Sequence, residues 1–519
     1  MRGWVILALS FFAFVVHAEP SALYQQHCAS CHGSDRIGLM GPALLPESLE
    51  RLRKPEALKV ITQGRAATQM QGFADRLSAE EIAALTDYIY SPSAKTLSFT
   101  DVDIRASRIV HADKLPAQPA KPLQGRDLMN LFLVVETGDH HVSVLDGDKL
   151  EVVHRFASRY ALHGGPKFTE DGRYVFFASR DGWITKYDIW NLTVVAEVRA
   201  GINTRNVAVS PDGQFLAVAN YLPNTLVLLD GELNLLKVHA VSNADNTATS
   251  RVSAVYEASP RKSFIAALKD LPEVWEISYN PRAEDIATGF IHDFQYKEGA
   301  FVPGFLNPRR SKLPEALDDF YFTPNYSELM GAGRTAGKGR VVNLDVRKVI
   351  ADLDISGMPH LGSGISFDWS DGAATRRVMA SPNLKEGSLT IIDMKDWSTL
   401  KRIATNGPGF FVRSHENSPY FWADAMMSKN KNRIEIFDKR TLEKAGEVTV
   451  EEGKTLAHVE FDRYGNYVLA SLWERKRDGG ALIVYDAATF KELKRLPMDK
   501  PVGKYNLHNK ISRSEGTSH

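Results

Sequence analysis

The sequence predicts a two-part protein, a small all-α domain followed by an all-β, eight-bladed propeller. Three observations predict it. Near the N-terminus, short helical segments surround Cys28-Ala29-Ser30-Cys31-His32. After residue 128 the pattern changes to paired short apolar runs. These pairs recur with a period of about 40 to 50 residues, the sequence mark of a propeller.

Before the first helical segment, Met1–Ala18 carries Arg2, an apolar run from Trp4 to Val16, and the small-x-small triplet Val16-His17-Ala18. This is the pattern of a cleaved secretory signal, and it assigns residues 1–18 to export and the mature chain to the periplasm. An uncleaved anchor is the alternative reading. The run falls short of the ~20 residues that span a bilayer, and no later segment is long and apolar enough. Lysine plus arginine number 63, as do aspartate plus glutamate, so the formal net charge of zero leaves no electrostatic footprint for nucleic acid.

Residues 19–92 read as the helical domain, with helices expected over Ala22–His27, Glu47–Arg53, Pro55–Gln63 and Ala79–Tyr90. The C-x-x-C-H spacing is that of covalent c-type heme attachment: Cys28 and Cys31 bind the vinyl groups and His32 the iron. The chain has 2 cysteines in all, so no disulfide framework or Cys-rich zinc site competes for them. A thioredoxin-like C-x-x-C has no need of His32 and belongs at a strand-to-helix junction. For the second axial ligand, a methionine thioether suits an electron-transfer heme. Met70, in the loop before the capping-box start Ser78-Ala79-Glu80-Glu81, is the candidate, with Met40 as runner-up and a gap-filling core methionine as the plain alternative. Residues 93–128, with Pro116, Pro119 and Pro122, read as an extended linker draped over the next domain.

From 129 to 519 eight paired runs follow, from Leu131–Val135 with Val142–Asp146 to Tyr467–Leu472 with Leu482–Asp486. Each is a strand, a polar turn, a strand ending at or near Asp, and a third strand. One blade cannot bury both faces, so neighbours stack and the ring closes. The gap from Ile277 to Leu329 reads as an insertion, and seven blades is the alternative count. The recurring Asp146, Asp188, Asp230, Asp345, Asp393, Asp438 and Asp486 read as turn formers, since Asp accepts hydrogen bonds from the backbone N–H groups that follow it.

Two histidines stand out by their surroundings. His163 precedes Gly164-Gly165, which leaves room for a planar cofactor to approach, and His360 lies in the tight loop Gly357-Met358-Pro359-His360-Leu361-Gly362. Both fall just before a blade's first strand and so on one rim. Glycine and proline mark turns in general, and loop histidines are the competing reading.

Signal, C-x-x-C-H domain and propeller together resemble the cytochrome cd1 family. So do Tyr160-Ala161-Leu162-His163, Arg180-Asp181-Gly182, Gly201-Ile202-Asn203-Thr204-Arg205, Pro359-His360 and Gly503-Lys504-Tyr505-Asn506. The resemblance implies a cytochrome d1-type propeller binding heme d1 or its dihydro precursor non-covalently. It implies His163 as proximal iron ligand, and Arg180 and Arg205 among the cations facing the macrocycle's carboxylates. The family's nitrite reductases place two distal histidines over the iron. His360 matches one, whereas Phe301–Asn325, where the other belongs, contains none, and His292 lies outside the matching motif.

That departure is what the family's dehydrogenase branch looks like, with His360 free to ligate the iron opposite His163. The resemblance then implies oxidation of one propionate of dihydro-heme d1 to an acrylate, the last step of heme d1 synthesis. Electrons would pass to the c heme and on to a periplasmic acceptor. The finished cofactor would go to a cytochrome cd1 nitrite reductase. Such a step needs a base. His458 is favoured because imidazole works near neutral pH, with Tyr505 second and His415 third. Nitrite reduction and a heme d1 carrier are the competing functions.

Overall fold

The computed structural model describes residues 19–38, 41–49, 52–64, 70–93, 98–293, 295–333, 338–473 and 480–512. The expected signal at 1–18 and the runner-up Met40 lie outside the described residues. The chain forms two compact units, the first ending near residue 95.

The first unit contains α1 (Pro20–His27), α2 (Ala29–His32), α3 (Pro46–Leu49), α4 (Lys54–Gln63) and α5 (Ala79–Ile89). Proline in the first turn opens α1 and α4, where its missing N–H costs nothing. A capping box starts α5: Ser78 Oγ accepts from Glu81 N at 3.2 Å, and Glu81 Oε2 accepts from Ser78 N at 2.9 Å. Ile82, Leu85 and Ile89, spaced to share one helix face, pack with Tyr24, Ile61 and Phe73 in the core. The helix expected over Glu47–Arg53 is instead the single turn Pro46–Leu49.

The second unit is a ring of eight antiparallel sheets, seven of four strands and one of five. The paired apolar runs are the second and third strands of each blade. A further strand, such as Asn203–Val209 of blade 3, lies on the inner side of each pair, so each blade has at least four strands where the sequence pattern shows three. The gap after Ile277 holds the hairpin Ile286–Asp293/Glu298–Val302, the outer strand Pro308–Lys312 of blade 4 and the inner strand Asp319–Phe322 of blade 5.

The turn-forming role of the repeated aspartates is visible at Asp146, whose Oδ1 accepts from Asp148 N at 2.8 Å and Lys149 N at 3.0 Å. Asp438 and Asp486 do the same. Asp345 does not. In blade 5 Asn343 Oδ1 accepts from Asp345 N and Val346 N, each at 3.0 Å, leaving the Asp345 carboxylate to pair with Arg261 at 2.6 Å.

The stretch expected as an extended linker is built into the propeller unit. It forms α6 (Asp101–Ala106) and the strand Ile109–Val110, which pairs with Thr193–Arg199 as a fifth strand of blade 2. Arg108 donates twice to the Glu232 carbonyl, at 2.9 and 2.7 Å. Unpaired edge N–H and C=O groups on blade 2 explain why a segment with weak periodicity becomes ordered there.

Blade 1 takes three strands from its start, Leu131–Glu136, His141–Asp146 and Glu151–Ala157, and its innermost strand, Pro501–Asn506, from the C-terminal end. The register sets Leu133 opposite Tyr505 and Val135 opposite Gly503. A chain ending at Lys500 leaves Leu131–Glu136 with an open edge and no seam between blades 8 and 1. Such a truncation is expected to lose the cooperative unfolding transition of the propeller in scanning calorimetry, and a transition at the full-length temperature and enthalpy would show that the ring does not depend on this seam.

Candidate functional site

In the first unit, the imidazole of His32 is set by the chain that crosses it. His32 Nδ1 donates to the Pro42 carbonyl at 2.8 Å, which leaves Nε2 with its lone pair free to bind iron. A Cβ on Gly41 would lie 2.7 Å from the His32 ring, so only glycine lets the backbone pass so close. Cys28 and Cys31 are half-buried free thiols, and Met70 packs partly buried against the same core as Cys28. Burial and the neighbouring Cys31 push the Cys28 thiol up to about 11, the reverse of an activated thioredoxin-like cysteine. The motif also joins two helices rather than a strand and a helix. These residues fit a covalently bound heme.

In the propeller, a cavity of about 190 Å³ is walled by blades from around the ring. It brings together His163, His360, Arg205, His458 and Tyr505. Arg180 joins them through His163, as its Nη2 lies 2.9 Å from Nε2.

His163 is pinned by a backbone bond from its N–H to the Ala178 carbonyl at 2.9 Å. Its Nδ1 lies 2.8 Å from the Arg205 carbonyl. Donation there puts the proton on Nδ1 and makes Nε2 the acceptor for Arg180. Arg205 Nη1, also 2.9 Å from Nδ1, can donate only to the other tautomer, which would set two N–H groups head-on at Arg180. His360 repeats only half of the arrangement: its Nδ1 lies 3.2 Å from the Phe410 carbonyl, whereas its Nε2 faces a carboxylate oxygen, Asp319 Oδ2, at 3.5 Å instead of a donor.

The glycine pair after His163 lines the cavity and also meets close neighbours. Both residues have positive φ, +85° and +69°. A Cβ on Gly164 would meet Asn206 at 2.4 Å, and one on Gly165 would press on the Tyr505 ring at 3.2 Å. The glycines therefore seat neighbouring side chains as well as sparing the cavity wall.

His458 lies in the innermost strand of blade 8, Thr455–Phe461, at a register shift between Ala457 and Glu460 and with φ of +51°. Such a bulge re-aims a side chain. It turns the imidazole to the cavity, edge-on to Phe411 at 4.6 Å and to Tyr505 at 5.2 Å between ring centres. The ring is 3% exposed and its Nδ1 has no hydrogen-bond partner. Burial first, then the cations Lys504, Arg413 and Lys510, hold His458 well below its ordinary value. Burial pushes the Tyr505 phenol up to about 12, so it keeps its proton.

His415 is not in this wall. It is buried beside Phe461, and its Nδ1 accepts from Asn417 N at 3.1 Å. His292 lies on the blade 4 hairpin. Phe301–Asn325 sends Asp319 to the wall, where its Oδ1 accepts from Tyr256 Oη at 2.8 Å. Sequence reasoning missed Asp319 and Arg413. Both stood inside segments read only for histidines, and an acid or a guanidinium within a strand carries no signal of facing inward.

Imidazoles, guanidinium groups and aromatic rings lining one cavity suit a planar, carboxylate-bearing macrocycle, and the same chain carries a c-type cytochrome unit. The family model for the cytochrome D1 heme domain matches residues 126–510, and the chain belongs to that family. A model for the cbb3-type cytochrome c oxidase subunit III matches residues 16–89. The dihydro-heme d1 dehydrogenase of Pseudomonas aeruginosa is 49% identical over 99% of this chain and 98% of its own length. The nitrite reductase of Stutzerimonas stutzeri is 27% identical over 94% of this chain and 92% of its own. A solved structure of dihydro-heme d1 dehydrogenase NirN in complex with DHE superposes with a TM-score of 0.84 at 49% identity, covering 95% of this chain and 100% of that one.

Two outcomes follow from this geometry. Gly41→Val should drive the His32 ring off the Pro42 carbonyl and change the visible spectrum of the heme-loaded protein; an unchanged spectrum would mean that other contacts hold the ring. For His458 the folded value lies below the unfolded one, near 6.5. Above that pH both states are neutral. As the pH falls through it, the unfolded chain takes a proton that the folded one refuses, and stability drops. Melting temperatures between pH 8 and 5 should therefore fall less steeply in His458→Gln than in the parent protein.

Proposed function

We propose that the chain is a periplasmic dihydro-heme d1 dehydrogenase that oxidises one propionate of dihydro-heme d1 to an acrylate and passes the electrons to its own c heme. The observation that carries this reading is the 49% identity to a dehydrogenase of that substrate over 99% of the chain. The reaction breaks two C–H bonds, forms one C=C bond and releases two protons and two electrons. When attached at Cys28 and Cys31, the c heme supplies a one-electron acceptor, filled once for each electron.

His163 and His360 hold the substrate iron through Nε2, since each ring's Nδ1 is committed to a backbone carbonyl. Arg180 turns from His163 Nε2 toward a macrocycle carboxylate, and Arg205 faces another. His458 is neutral at physiological pH and takes a proton from the side-chain carbons. Tyr505 packs beside it and orients the group being oxidised as a hydrogen-bond donor. His32 and Met70 hold the c-heme iron.

Export fits the signal pattern of residues 1–18, and covalent heme attachment suits the same compartment. A periplasmic protein then accepts the electrons, and a cytochrome cd1 nitrite reductase receives the finished cofactor. Nitrite reduction is the weaker reading, because the segment 301–325 contributes a carboxylate, Asp319, where that chemistry wants a second imidazole.

Anaerobic incubation of the purified, c-heme-loaded protein with dihydro-heme d1 and a one-electron acceptor that reoxidises the c heme should reduce the c heme transiently as the macrocycle spectrum shifts to that of heme d1. His458→Gln should slow the step by about 10² to 10⁴-fold, the usual contribution of a positioned base. Steady conversion of nitrite to nitric oxide with no oxidation of dihydro-heme d1 would overturn the assignment.

A further inference from the structure

Arg413 stands on the innermost strand of blade 7, Val412–Ser414, and lines the cavity next to His458. Its residue is 3% exposed. Several half-buried arginines of the propeller meet carboxylates: Arg159 reaches Glu197 through two bonds of 2.7 Å, and Arg155 reaches both Glu136 and Asp139. Among the described residues Arg413 bonds to no carboxylate. Its Nη1 donates to the Val412 carbonyl at 2.8 Å and the Ser363 carbonyl at 3.3 Å, and its Nε is buried without a hydrogen-bond partner.

The acids that sense its charge have other partners, although Glu460 Oε2 accepts no hydrogen bond. Glu460 accepts from Asn509 at 3.0 Å and faces Lys510 Nζ at 3.5 Å. Asp424 accepts from the backbone N–H groups of Phe410, Phe411 and Met426 at 2.9, 3.1 and 3.2 Å. A guanidinium taken out of water without an anion is among the costliest arrangements in a protein interior, and the cavity is where an anion can arrive.

We propose that Arg413 receives the carboxylate of the propionate that is oxidised, and so selects which side chain of the macrocycle is presented to His458. The inference rests on the dehydrogenase reading and deepens it. Arg180 and Arg205 gather at His163, whereas Arg413, His458 and Tyr505 come from blades 7, 8 and 1. A carboxylate seated on Arg413 carries its two saturated carbons beneath the imidazole. The planar fork of arginine matches a carboxylate through two parallel bonds, which fixes direction as well as position.

The test uses the full chain with its c heme and compares the parent protein, Arg413→Gln and Arg413→Lys on dihydro-heme d1 and on its methyl ester at that propionate. Single-turnover reduction of the c heme gives the rate, and spectroscopic titration gives affinity. Expected are a loss of about 100-fold in rate for Arg413→Gln, typical of a misplaced reacting group, with affinity changed far less because Arg180 and Arg205 remain. Arg413→Lys should recover part of the rate. The ester should cost the parent protein a similar factor and cost Arg413→Gln nothing more. The ester arm needs no substitution, so a poorly folded variant does not decide the outcome. Parent turnover of the ester at the full rate, or losses from ester and variant that multiply, would overturn the role of Arg413 alone. Parent protein that binds dihydro-heme d1 without oxidising it would overturn the dehydrogenase reading and this inference with it.

Discussion

The seam in blade 1 is the constraint on which the rest of the propeller depends. A strand from the C-terminal end, Pro501–Asn506, pairs with Leu131–Glu136 and turns a row of seven self-contained sheets and one incomplete sheet into a ring. Closure pairs the edge of Leu131–Glu136 and covers the two end faces that a linear array of blades would leave open. It also assembles the cavity, because Tyr505 and Gly503 lie on that last strand while His163, His360 and His458 arrive from blades far apart in sequence. Asn130 ties the same seam by accepting from Arg463 N at 2.9 Å and Asn506 Nδ2 at 3.1 Å. Asn509, just beyond, bonds the Phe461 carbonyl at 2.9 Å and links blade 8 to α7 (Leu507–Ser512).

Within that frame, what each imidazole does with Nδ1 separates two kinds of histidine. His32, His163 and His360 each direct Nδ1 at a backbone carbonyl, of Pro42, Arg205 and Phe410. That bond fixes the tautomer and orients the other nitrogen, the arrangement expected of a ligand. His458 has no such bond, and its Nδ1 is buried without a partner. A ring left untied can carry a proton on either nitrogen, which is what a base requires and a ligand does not.

Much of the architecture was legible in the sequence because it is written in local chemistry. Cys28–His32 is a contiguous signature, Ser78 and Glu81 form a reciprocal cap, and the repeated apolar pairs are the buried middle strands of each blade. What was not legible depends on closure. The innermost strands fall outside the paired apolar runs, and that of blade 1 comes from the far end of the chain. The segment 98–130 is ordered by the edge of blade 2 rather than by its own periodicity. The inward aim of His458 comes from a bulge, and the absence of a counter-ion at Arg413 depends on what seven other blades do not supply. Asp345 shows the limit of counting repeats: the residue sits at the repeated position, while Asn343 does the turn's work.

The cations around His458 do two things at once. Lys504, Arg413 and Lys510 repel a proton from the imidazole, which with burial keeps it neutral. Lys504 is buried with its amine on Ser471 Oγ at 2.8 Å, and Lys510 faces Glu460, so Arg413 is the member of the group that lines the cavity and lacks a carboxylate. On the proposed assignment, a carboxylate docked on Arg413 would cancel part of the field at His458, and the imidazole would become a stronger base as the substrate side chain settled beside it. A free protein that stays deprotonated at His458 and a complex that accepts a proton there would then be two states of one electrostatic arrangement, separated by the arrival of a negative charge.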